Sequence, residues 1–157
     1  MKKADKTSSA EIRALSQLTL APQEAEEALG FVAGLDAVQR ARLVSLADSN
    51  HVVIRAFHVV AQQAGTNSEL CEWASGVVDK EKQRIENAIT LLHYICGELE
   101  NGGCPTTVMK SLDHWPDLGN DLDLYTTADA RQVVHVMLNR LGAHIQARSW
   151  GDRLANK

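Results

Sequence analysis

The chain has 157 residues, 45% of them hydrophobic and 23% charged, with three prolines and a formal net charge of -4. Such a length supports one domain with a core, or a helical segment joined to a small α/β unit, and the charge excludes the broad positive field of a non-specific nucleic-acid binder. No apolar run approaches the roughly 20 residues of a spanning helix, and no signal-type apolar core follows Met1-Lys2-Lys3-Ala4-Asp5, so a cytoplasmic location is the default expectation.

Residues 1–8 are polar and charged and read as a disordered tail. From Ser9 to about Gly65 the apolar spacing is helical, carried by Ile12, Leu15 and Leu18, then Ala28, Leu29 and Val32, then Leu43, Val44 and Leu46. Several short helices fit this pattern best. Pro22 suits a first helical turn, and Asp36 and Ser49 are candidate N-caps for the helices that follow. His51 and His58, seven apart, would share a face if one helix held both, but too far apart for a common metal.

The segment 68–100 is the clearest helix: Ile85, Ala88, Ile89, Leu92, Ile95, Cys96 and Leu99 recur at steps of three and four, apart from Lys80, Glu81, Lys82, Arg84 and Glu86. Asn101-Gly102-Gly103 predicts its end, because glycine adopts the left-handed cap at little cost, and Pro105 prevents resumption. Cys71, Cys96 and Cys104 are odd in number and lack a C-x-x-C spacing, so they read as reduced thiols.

Beyond the glycines the pattern shortens. Thr106-Thr107-Val108-Met109 is expected as a buried strand, residues 111–120 as a loop, and Asp121 to Tyr125 as a second strand. A helix starts near Thr126-Thr127-Ala128-Asp129, takes its apolar face from Ala130, Val133, Val134, Met137, Leu138 and Leu141, and stops at Gly142; Ala143 to Ser149 alternates as a third strand.

In a strand, Asp121 and Asp123 project to one side while Leu122 and Leu124 pack on the other. Two adjacent carboxylates repel and are stabilised by a hard cation such as Mg²⁺. An Asp-x-Asp pair is a weak signal alone, and its context adds to it: a strand ending in Val108-Met109-Lys110-Ser111 precedes Gly119-Asn120-Asp121-Leu122-Asp123-Leu124 by a short loop. That spacing resembles the signature of the polymerase-β-like nucleotidyltransferase superfamily. The stretch from Val108 to Tyr125, with its His114-Trp115-Pro116-Asp117 element, resembles one branch of it, the uncharacterised bacterial nucleotidyltransferase family.

The resemblance implies an α+β fold, with a helical half over 9–100 packed on a partial nucleotidyltransferase α/β core over 104–157 that carries a small mixed sheet. It implies metal-dependent transfer of a nucleotidyl group from a nucleoside triphosphate to an unknown acceptor. Asp121 and Asp123 would be the catalytic metal ligands for Mg²⁺ or Mn²⁺, and Lys110, Ser111, Gly119 and Asn120 would lie along the nucleotide's phosphates. Lys110 departs from the family's glycine at this point. Family members also use a third carboxylate on a later strand, whereas the only acidic residue beyond Asp129 is Asp152, in a polar tail, so the chain reads as cut short.

A nucleic-acid acceptor is disfavoured, because no basic stripe interleaves with aromatics. Three strands make too small a sheet to have no open edge, which favours a homodimer or covering by further C-terminal sequence. His114-Trp115-Pro116-Asp117 also suggests the acid loop of tyrosine phosphatases, but no cysteine is followed by an arginine six positions on; Trp115 is instead expected to pack beside the loop. The other function class compatible with the sequence is a helical partner-binding module in which the Asp pair is merely structural.

Overall fold

The computed structural model describes residues 8–65, 67–109, 112, 115–119 and 121–144. It is mostly helical with one small antiparallel two-stranded sheet, and belongs to the broad α+β class. The order is α1 (Ser9–Leu20), a 3-10 turn at Pro22–Glu24, α2 (Glu26–Ala33), α3 (Ala37–Ser49), α4 (Val53–Gln63), α5 (Ser68–Asn101), β1 (Thr106–Met109), β2 (Asp123–Thr126) and α6 (Ala130–Asn139). The chain divides into two compact units, one of residues 1–89 with 109–123 and the other of 90–108 with 124–157, so that α5 contributes to both.

In the first unit, α1 to α4 and the start of α5 enclose one core, with Leu18, Val32, Leu43, Phe57, Val60 and Leu70 almost fully buried. Phe57 meets Trp73 edge to face at 5.3 Å, and Arg40 lies over the Trp73 ring while pairing with Glu69 at 3.1 Å. The helix starts follow from local polar residues. Ser8, grouped by its polarity with the terminus, forms a capping box with Glu11, and Asp36 forms a second with Gln39.

Ser49 does not cap α4. It is the last residue of α3, where its hydroxyl donates to the Ser45 carbonyl at 2.8 Å. The turn that follows is a Schellman motif centred on His51, in the left-handed region at φ 53°: Val52 N donates to Ala47 O and His51 N to Asp48 O, each at 3.0 Å. His51 therefore sits between helices and shares no helix face with His58, which is exposed on α4.

In the second unit the end of α5, β2 and α6 pack around Leu99, Cys104 and Val136, with Leu124, Val133 and Met137 against them. The α5 stop is the one the glycines predict, with Gly103 at φ 76°, Cys104 N donating to Leu99 O at 2.8 Å and Gly103 N to Glu100 O at 2.9 Å. β1 has the expected span, but it is not buried: Thr107, Val108 and Met109 are exposed, because a two-stranded sheet leaves it without a covering layer among the described residues. β2 begins two residues later than expected. Ala143 and His144 are not in a strand, and the rest of the expected third strand lies outside the described residues.

Candidate functional site

The segment leading to the Asp pair is fastened to the first unit by two adjacent residues. Asp117 is 1% exposed, an unusual position for a carboxylate unless its charge is met by donors. Its Oδ1 accepts from Ile54 N at 2.6 Å, and its Oδ2 from Arg55 N at 3.3 Å and Arg55 Nε at 3.1 Å. The two backbone donors are the second and third amides of α4, whose own N-cap position is Val52, a side chain with no acceptor. Asp117 thus caps α4 from 63 residues away, and its negative charge meets the positive end of the helix dipole.

Leu118 follows, 1% exposed and packed with Ile54 and Ile85. Its carbonyl accepts from Arg84 Nη2 at 2.6 Å, and Arg84 also binds Glu81 through Nη2 at 2.6 Å and Nε at 2.9 Å. The hydrogen bonds it donates to Glu81 hold the Arg84 guanidinium above its ordinary range against the opposing effect of burial, so it stays charged at any pH in which the fold survives. Trp115 and Pro116 are joined by a cis peptide. Trp115 does not pack as expected: it is 64% exposed, since the loop is secured through Asp117 and Leu118.

Gly119 is half-buried, and a side chain there would meet only the His51 ring, at 3.7 Å. Asp123 opens β2, and Asp121 lies two residues before it, outside the strand. Exposure alternates through this stretch, with Asp121, Asp123 and Tyr125 exposed and Leu122 and Leu124 half-buried, as the period of a strand requires. Lys110, Ser111 and Asn120 lie outside the described residues.

Among the described residues no group of three or more His, Cys, Asp or Glu side chains could hold a metal ion. Two exposed carboxylates are nevertheless a donor set that fits Mg²⁺, which keeps several waters and is commonly held by one or two carboxylates together with substrate phosphates. They do not suffice for an ion held by protein ligands alone. Sequence reasoning did not find Arg55, Arg84 or the structural role of Asp117, because the partners of each attachment are at least 34 residues apart and no local pattern joins them. Compared with known proteins, the chain matches no family model, no curated protein and no solved structure.

Proposed function

We propose that the chain is a nucleotidyltransferase of the polymerase-β-like type, with residues 104–157 forming a partial core of that fold. It binds a nucleoside triphosphate together with Mg²⁺ or Mn²⁺ and transfers the nucleotidyl group to an acceptor hydroxyl, the acceptor oxygen bonding to the α-phosphorus as the α–β anhydride breaks and pyrophosphate leaves. The observation that carries this reading is the exposure of Asp123 at the first position of β2 and of Asp121 two residues before it, with Leu122 and Leu124 half-buried between and after them. In that role the two carboxylates hold the cation jointly with the phosphates, and the cation supplies charge neutralisation at the transferred phosphorus. Lys110 and Ser111 follow β1 directly in sequence and are the residues assigned to the phosphates.

Calorimetric titration with Mn²⁺ and ATP tests the reading. The wild type is expected to give a saturable heat that disappears in Asp121→Asn/Asp123→Asn. Equal heats from the two proteins would remove the proposal. They would leave the helical unit as a partner-binding module, a role favoured by the apolar groove lined by Ile12, Leu15, Leu20, Leu46 and Val52. Incorporation of labelled nucleotide separates an active transferase from a relative that binds without turnover.

A further inference from the structure

We propose that Asp117 and Arg84 are positioning residues for the Asp121 and Asp123 carboxylates: together they clamp the chain at residues 117 and 118 and so fix where the metal-binding segment departs from the helical unit. The ligand of the pair rests on the function proposed above, whereas the clamp rests on geometry alone. Three attachments act on two consecutive residues. The Asp117 carboxylate is held by α4, the Leu118 side chain is buried between α4 and α5, and the Leu118 carbonyl is held by Arg84 of α5.

Helix stability alone gives no reason for this arrangement. A serine or aspartate beside α4 would satisfy the same amides locally, as Ser8 does for α1 and Asp36 for α3. What the distant carboxylate adds is a fixed loop. From Leu118 the chain has three steps to Asp121, which at full extension keeps the two Cα atoms within about 11 Å. An anchor this close restricts the places the first carboxylate can occupy, and Asp123 follows it into β2. Holding both carboxylates in place before the ligand arrives lowers the ordering cost of binding a shared cation.

Arg84 is the informative site for mutation, since it is partly exposed and touches neither the α4 amides nor the Asp pair in any contact described above. In the ligand-free full-length protein, Arg84→Gln is expected to speed hydrogen exchange at the Ile54 amide by about tenfold, because releasing Leu118 loosens the neighbouring Asp117 cap. Unchanged exchange overturns the clamp. In titrations with Mn²⁺–ATP, Arg84→Gln is expected to weaken binding by about tenfold and to be partly rescued by Arg84→Lys. No loss, or a loss that Arg84→Lys does not relieve, overturns positioning and leaves a structural role. If wild type and Asp121→Asn/Asp123→Asn respond alike to Mn²⁺–ATP, the nucleotidyl-transfer reading fails and positioning of a metal pair fails with it, while Ile54 exchange still decides the clamp.

Discussion

The buried Asp117 carboxylate accepts three hydrogen bonds from the start of α4. Truncation to alanine would leave the Ile54 amide without its acceptor in a buried position and the Arg55 guanidinium without this carboxylate partner. By the usual worth of charge-assisted bonds, Asp117→Ala should cost about 3 kcal/mol in urea unfolding, and Asp117→Asn, which keeps an acceptor, about half of that. Equal effects would mean that the carboxylate's charge, and not the acceptor that asparagine retains, carries the stabilisation. Cys96 offers a second residue-scale test. Burial, assisted by the charge of Glu100, pushes its thiol above the ordinary value of 9.0. Iodoacetamide at pH 8 should therefore modify Cys96 more slowly than a free cysteine, as read by peptide mass spectrometry. The linkage has a definite sign: because the pKa is raised in the folded state, this thiol's contribution to stability is present below the unfolded value and is lost as pH rises toward the folded one, so alkaline conditions lower the unfolding midpoint.

The two Schellman turns show which element boundaries a sequence can announce. At the end of α5 the motif uses Gly103 in the left-handed region, where a Cβ would also meet Gln132 Nε2 at 2.8 Å. Gly103→Ala should cost about 1 kcal/mol, and unchanged stability in urea would argue against the cap. At the end of α3 the same turn is built on His51, a residue that carries the left-handed penalty. His51→Gly should therefore raise stability by about 1 kcal/mol; a fall would mean that the ring's packing at Gly119 outweighs the strain. The first boundary was legible because glycine and proline act locally. The second was not, since histidine gives no stop signal and the cap of α4 comes from Asp117, which is why Ser49 was the residue the sequence suggested. The span of β1 was legible from its β-branched residues and flanking turns, but its burial was not, because burial depends on how many layers assemble around a strand.

At the scale of the whole molecule, charge decides how a nucleotide could be received. The chain is net acidic at -4 and a nucleoside triphosphate is also an anion, so the long-range field does not attract the free nucleotide. The Asp pair adds to that repulsion until a divalent cation is present. This polarity was legible from composition, as was the alternation that turns Asp121 and Asp123 outward; the anchoring of the preceding loop by α4 and α5 was not, because it is a property of the folded helical unit. With only two exposed carboxylates described at the pair and no larger ligand cluster among the described residues, neither half of the ligand should bind well by itself. ATP alone is expected to give no heat, Mn²⁺ alone a weak and unsaturable one, and the two together a saturable isotherm. Tight uptake of Mn²⁺ without nucleotide would instead require further protein ligands and would overturn the shared-cation arrangement. Saturable binding of ATP with chelator present would show that phosphate recognition by other residues, and not the Asp pair, dominates the affinity.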